Sequence, residues 1–309
     1  MVVNIQHFCT DDGPGIRTTV FLKGCSNRCA WCSNPETIRR RPELAFNPDK
    51  CLGKAACGRC LNLPGHDGAF YADDDTIGVN WELAHDCGAE SAAVCPTGAL
   101  YVFGRMMTVT EVLDEVEQDG TFYEESGGGI TLSGGECLLQ PEFCAALLAG
   151  ARQRGFTTAI ETAGNVPWDN MAAVLTHVDV MLHDYKISDD ARHLFWIGTH
   201  NSRTLENFTR AYTEFPNVRF IARTPVIPGV NDDEDHIRSV LAAILPHPNV
   251  VAYQLLPYHR FGESKYGFLG KIYQLEDFTP PTADVMDRLN AIINEAFRAR
   301  DSGELRTQD

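Results

Sequence analysis

The sequence of 309 residues predicts an α/β fold: parallel strands wrapped by helices in six units, two short of a closed eight-unit barrel. Three observations carry this. Six short apolar or β-branched runs recur along the chain. Helix-like stretches, with apolar residues three and four apart, separate most of them. All six runs end in polar or glycine-rich residues, as expected where one site is built at the C-terminal ends of parallel strands.

The first run, 18–23, leads into a cysteine-rich stretch rather than a helix. A helix-like segment at 110–118 precedes the second run, 129–133, which ends in Ser133-Gly134-Gly135-Glu136. The next helix, 141–154, starts on Pro141, a residue suited to a first turn because its missing N–H is not needed there. The third run, 157–161, ends in Glu161-Thr162-Ala163-Gly164-Asn165 and is followed by a helix at 169–177. Run four, 179–184, closes on Asp184-Tyr185-Lys186, and a helix at 205–215 leads to run five, 218–224, with Arg223-Thr224-Pro225. A helix at 232–245 and run six, 250–255, complete the alternation and end in Pro257-Tyr258-His259.

Residues 43–104 break the pattern. They are rich in Gly, Pro, Asp and Cys, and read as an insertion held by metal rather than by a core. The expected division is a body formed by 1–44 and 105–309, with the insertion at 45–104.

A net charge of −16 argues against nucleic acid or an anionic membrane as partner. The N-terminal Met1-Val2-Val3-Asn4-Ile5-Gln6-His7 lacks the basic start and apolar core of a signal peptide, and no apolar run reaches membrane-spanning length. The expectation is a cytoplasmic protein. Eleven cysteines in a large chain of this kind point to metal or redox chemistry rather than disulfides. Cys9, Cys137 and Cys144 lie apart from the rest and read as buried small apolar residues.

Cys25, Cys29 and Cys32 stand at C-x3-C-x2-C spacing. Three thiolates are one too few for a closed tetrahedral site or a fully ligated cubane. They suit a 4Fe-4S cluster with one iron open to a ligand that is not protein. With Trp31 before the last cysteine, the motif resembles the signature of radical S-adenosylmethionine enzymes. The preceding Asp12-Gly13-Pro14-Gly15-Ile16-Arg17 narrows the resemblance to activating enzymes of glycyl radical enzymes. Matches run on to Leu256-Pro257-Tyr258-His259, so nearly the whole chain is covered.

The resemblance implies a partial (β/α)6 TIM-like barrel with a ferredoxin-like iron-sulfur insertion. It implies that the open iron chelates S-adenosylmethionine through its amino and carboxylate groups. One electron then yields methionine and a 5′-deoxyadenosyl radical, which takes a hydrogen atom from a backbone glycine of a partner protein. Cys25, Cys29, Cys32 and Lys186 are the implied catalytic residues. Trp31, Cys32, Ser33, Gly134, Gly135, Thr162, Asn165, Tyr185, Lys186, Ile187, Arg223 and His259 are the implied cofactor contacts. For several of these a second reading stands beside the first: a tight turn at Gly134-Gly135, turn residues at Thr162 and Asn165, a structural ion pair at Arg223. Asp184, with Glu161 and Thr162, is a further candidate to hold a monovalent cation.

In the insertion, Cys51-x5-Cys57-x2-Cys60 resembles the start of a ferredoxin-like motif and Cys95-Pro96 the cysteine that closes one. Relatives with two auxiliary clusters carry two sets of four cysteines. Here Pro64 replaces one, and the second set keeps only Cys87 and Cys95, enough for one cluster. Cys95 is the expected fourth ligand to Cys51, Cys57 and Cys60, with Cys87 the runner-up; zinc on the same thiolates is the alternative. The implied partner is a glycyl radical enzyme, isethionate sulfite-lyase first. Choline trimethylamine-lyase, glycerol dehydratase and arylacetate decarboxylase are the alternatives. A flavodoxin or ferredoxin-type protein is the implied reductant. A small-molecule radical enzyme and an iron-sulfur electron carrier are the rival classes.

Overall fold

The computed structural model describes residues 1–84 and 87–303, so the last six residues of the expected 105–309 body lie outside the described residues. Strands β1 (Val2–Cys9) and β2 (Arg17–Leu22) pair antiparallel. The insertion follows with β3 (Glu43–Phe46), β4 (Phe70–Asp73), β5 (Thr76–Val79) and β6 (Leu100–Phe103). Then come β7 (Gly129–Gly134), β8 (Thr157–Thr162), β9 (Val180–Asp184), β10 (Arg219–Val226) and β11 (Val250–Pro257). One sheet of seven strands runs β1-β2-β7-β8-β9-β10-β11, and every neighbouring pair from β2 onward is parallel.

The six strands expected from sequence are these six parallel strands, each within two residues of its expected bounds. The five expected helices are present as Val109–Val116, Pro141–Gln153, Trp168–Leu175, Ser202–Glu214 and Glu234–Ile244. Strand β1 was not anticipated. As a half-exposed edge strand it carries only a weak alternation, and Asn4, Gln6 and His7 interrupt its apolar residues. The helix Ala283–Ser302 was also missed; only Leu289 and Ile293 on it are fully buried, so its apolar stripe is narrow.

Side chains alternate across the parallel strands. Val20, Leu22, Ile130, Leu132, Ile160, Met181, Phe220 and Ala222 face the helices and are buried with Leu147, Leu148, Met171 and Val174. Truncating a wholly buried leucine there costs about 2–5 kcal/mol. On the other face a small apolar cluster, Ala159, Val180, Leu182 and Ile221, gives way toward the strand ends to Ser133, Glu161, Asp184 and Arg223. Arg17 stitches the opposite end of the sheet. It donates to Thr131 Oγ1 (2.6 Å), Ile130 O (2.7 Å), Pro14 O (2.9 Å) and Thr157 Oγ1 (3.1 Å), and burial lowers its pKa to about 10.

The insertion departs from expectation in one respect. It has a core of its own, formed by Leu44, Phe46, Leu63, Phe70, Ile77 and Leu100 with smaller residues. These come from segments far apart in sequence, so no periodic run marks them. The β3–β6 pair joins this core to the body, where buried Lys23 Nζ lies 2.9 Å from Glu43 Oε2.

Candidate active site

Beyond β2 the chain turns through Cys25 to Cys32, pinned by backbone bonds from Cys25 N–H to Ile38 O (3.0 Å) and from Arg28 N–H to Ile197 O (2.8 Å). Cys25, Cys29 and Cys32 all line one open cleft of about 200 Å³ at the C-terminal ends of the parallel strands. Trp31, Ser33, Gly134, Gly135, Thr162 and Lys186 line the same cleft. Among the described residues no three His, Cys, Asp or Glu side chains converge as ligands of one metal ion. A cubane takes its thiolates on separate irons. Three sulfurs facing shared open space, beside a lysine, therefore fit an iron-sulfur cluster.

Burial dominates the electrostatics. It pushes the Cys25 thiol up to about 12 and those of Cys29 and Cys32 to about 11. Bound metal deprotonates such thiols outright. Lys186 Nζ sits 2.6 Å from Asp184 Oδ2; burial opposes its charge, but Asp184 and the nearby cysteine sulfurs outweigh it and raise its pKa. Glu161 is raised by burial and by Asp184, against the pull of Arg223. Glu136 is raised to about 7 by burial, although Thr162 Oγ1 (2.7 Å) and the N–H groups of Leu138 and Ala163 donate to it.

Other expected contacts lie elsewhere. Asn165 does not line the cleft; its Nδ2 donates to Asn27 Oδ1 (3.0 Å) and so braces the cysteine loop from behind. Ile187 packs with Ala30 and Trp31 in an apolar cluster. Arg223 is engaged within the protein: Nη1 is 3.2 Å from Glu161 Oε1, Nε donates to Gln254 Oε1 (3.2 Å), and Nη2 donates to Asp11 O. The glycine pair also serves the turn. Gly134 has φ +113°, and a Cβ on Gly134 or Gly135 would collide with the carbonyl oxygens of Leu22 or Gly24.

Tyr185 and His259 do not line the cleft either. Strand alternation turns Tyr185 away from the cleft, onto Phe208, with its hydroxyl 3.2 Å from that of Tyr212; its N–H and C=O are taken by Arg223 and Thr224. At the end of β11 it is Tyr258 that turns inward, to Tyr273, and His259 is left exposed, its ring stacked on Phe261 at 4.3 Å. Two residues outside the expected set hold the cysteine loop. Tyr266 donates to Cys32 O (3.0 Å), and Lys265 Nζ lies 2.7 Å from Glu36 Oε1 and 2.8 Å from Asn34 Oδ1. Their signal was the Gly-x-x-Lys-Tyr run after His259.

Cys51, Cys57, Cys60 and Cys95 line a second, small pocket in the insertion. Cys95 also accepts the Leu100 N–H (3.3 Å); such bonds outweigh the effect of burial and lower its pKa. Cys87 lies outside that pocket, with its sulfur 2.9 Å from His66 Nδ1. The donor set suits a second four-thiolate site.

A family model described as a 4Fe-4S single cluster domain matches residues 11–205. The isethionate sulfite-lyase activating enzyme of Nitratidesulfovibrio vulgaris is 47% identical over 94% of each chain. The (2S)-3-sulfopropanediol sulfolyase activating enzyme of Bilophila wadsworthia is 42% identical over 95% of this chain and 96% of its own. A radical SAM methyltransferase from Sphaerobacter thermophilus, solved as a crystal structure, shares the fold at a TM-score of 0.50 and 13% identity, over 96% of this chain and 74% of that one. Fold and cleft thus define an α/β protein with a cysteine loop at the ends of its parallel strands. The chain belongs to the family of glycyl radical enzyme activating enzymes. Among the described residues no helix is long and apolar enough to cross a membrane.

Proposed function

We propose that this chain activates isethionate sulfite-lyase, removing one hydrogen atom from a backbone glycine of that partner. The observation that carries the site is the convergence of Cys25, Cys29, Cys32 and Lys186 on one cleft. Its likeness to the isethionate sulfite-lyase activating enzyme supports the choice of partner. We read the sheet as a partial (β/α)6 barrel formed by 1–44 and 105–309, with 45–104 as a ferredoxin-like insertion.

Cys25, Cys29 and Cys32 would hold the cluster, and Trp31, Ser33, Gly134, Gly135, Thr162 and Lys186 the bound S-adenosylmethionine. When bound and reduced by one electron, the pair supplies a carbon-centred radical able to abstract hydrogen. The chain's own residues orient it. Lys186 places a positive charge beside Cys29, held in place by Asp184. Asn165 and Tyr266 fix the cysteine loop through Asn27 and Cys32. Arg223 balances Glu161, and a monovalent cation between Glu161 and Asp184 would relieve their remaining repulsion. Cys51, Cys57, Cys60 and Cys95 would hold one auxiliary 4Fe-4S cluster. A flavodoxin or ferredoxin-type protein in the cytoplasm would deliver the electron.

The test is anaerobic incubation of the reduced protein and S-adenosylmethionine with isethionate sulfite-lyase, read by electron paramagnetic resonance. A glycyl doublet is expected. A doublet only with choline trimethylamine-lyase, glycerol dehydratase or an arylacetate decarboxylase overturns the partner. No doublet with any of them, or no 5′-deoxyadenosine formed, overturns the reading itself.

A further inference from the structure

Cys87 is the insertion cysteine that the second pocket does not use, and its surroundings are those of an activated thiol. Its sulfur lies 2.9 Å from Nδ1 of His66, and Nε2 of the same ring lies 2.7 Å from Glu90 Oε2. The two ring nitrogens thus face different partners. A metal ion bound between thiol and carboxylate would need them on one point; a proton relay needs them on a line. Nucleophile, base and an orienting carboxylate are in that order here. Nδ1 of His66 is placed to accept from the thiol, and Nε2 to donate to the carboxylate of Glu90.

The reagent is limited by access. Cys87 is 1% exposed and packs beside Leu63 and Ala84 in the insertion core, while the His66 side chain is 17% exposed. A reagent for this sulfur would have to pass the His66 ring, which limits it to a molecule of a few atoms. Among small electrophiles, a hydroperoxide gains most from a neighbouring imidazolium, because its leaving oxygen must be protonated.

We propose that Cys87, His66 and Glu90 form a peroxide-reactive thiol site. The thiolate attacks one oxygen of the hydroperoxide; the S–O bond forms as the O–O bond breaks. Sulfur loses two electrons and the peroxide gains them. His66 returns the proton to the departing oxygen, which leaves as water, and Cys87 becomes a sulfenic acid, reducible again by a thiol. Oxidation of a cysteine follows both its thiolate character and its access; His66 would supply the first, and the peroxide experiment tests the second.

The experiment exposes the cluster-loaded protein to substoichiometric hydrogen peroxide under anaerobic conditions. It is then unfolded, the remaining thiols are alkylated, and blockage at each cysteine is read by peptide mass spectrometry with and without arsenite. Cys9, Cys137 and Cys144, buried and outside both cysteine groups, are internal references. Cys87 is expected to oxidise reversibly at least about tenfold faster than these three, and His66→Gln to bring it down to their rate. Glu90→Gln changes a side chain that is 74% exposed, so the fold is kept; a slowing of about threefold is expected. Iron content should not change in either variant. Oxidation of Cys87 no faster than the references, or unaltered by His66→Gln, overturns the site. An unaltered rate in Glu90→Gln overturns the relay.

Discussion

Lys186 Nζ stands 2.6 Å from Asp184 Oδ2 just past the end of β9, with both side chains more than four-fifths buried and Tyr185 turned away between them. This carboxylate bonds the lysine, and the sulfurs of Cys29 and Cys25, which line the same cleft, also favour its charge. Lys186→Met would leave Asp184 buried without its partner, at a cost of about 3–5 kcal/mol in denaturant unfolding. Formation of 5′-deoxyadenosine should fall about 100-fold or more, as for loss of a charged donor at a developing charge. Lys186→Arg keeps the charge and should recover most of the stability but less of the rate, since the guanidinium is wider. Full activity in Lys186→Met would remove this residue from the site.

The two pockets make a prediction about iron. A chain with two cubane clusters holds roughly eight irons. Cys95→Ala, like Cys29→Ala, should lower that to roughly four, because each removes one thiolate from a pocket. Cys87→Ala should leave it unchanged, since Cys87 faces His66 instead. Iron and zinc analysis of the four proteins decides the matter. Loss of iron in Cys87→Ala would reassign the ligand, and zinc in place of iron would reinstate the four-thiolate zinc site.

The parallel sheet and the cleft were legible because period and position do the coding. Runs such as 129–133 and 157–161 are short, rich in β-branched and small residues and largely buried on both faces, as parallel strands are, and their last residues had to meet at one end. The cysteine loop was legible from spacing alone. Pairing partners were not. Nothing in the string tells that Arg223 meets Glu161, 62 positions away, rather than a ligand, or that Asn165 reaches Asn27 across 138. The place of His259 was hidden for a related reason: where a strand ends, the alternation that assigns faces ends with it, and Tyr258 takes the inward place while His259 is exposed. The insertion core stayed hidden because Leu44, Phe70 and Leu100 come from three short segments without shared period.

The Arg223–Glu161 pair can be separated from cofactor binding by a double-mutant cycle. Their side chains are 6% and 25% exposed at 3.2 Å, so the interaction is weakly screened. Arg223→Met should cost about 3 kcal/mol because Glu161 and Asp184 then repel without a counter-charge. In a Glu161→Gln background the same change should cost about 1–2 kcal/mol less. Strict additivity would mean that the pair is geometric only and that Arg223 stays available to a ligand carboxylate.

Glu136 gives a pH dependence with a definite sign. Burial raises its pKa from 4.5 to about 7, against three hydrogen bonds that favour the ionised form. Between these values the folded protein holds a proton that the unfolded chain has released. The contribution of Glu136 is therefore fully present below about pH 4.5 and is lost as pH rises through about 7, by about 3 kcal/mol in all. Burial of His183, which lowers its pKa to about 3, acts in the opposite direction between pH 3 and its ordinary 6.5. The wild-type profile of the metal-free protein should therefore fall above pH 6.5, once His183 is neutral in both states. Glu136→Gln keeps the size of the side chain and its carbonyl acceptor but cannot ionise. Its urea unfolding free energy should decline less between pH 6.5 and 8 than that of the parent, since only the part due to Glu136 is removed. Parallel profiles over that window would show that Glu136 is ionised in the fold, and that the bonds from Thr162, Leu138 and Ala163 outweigh its burial.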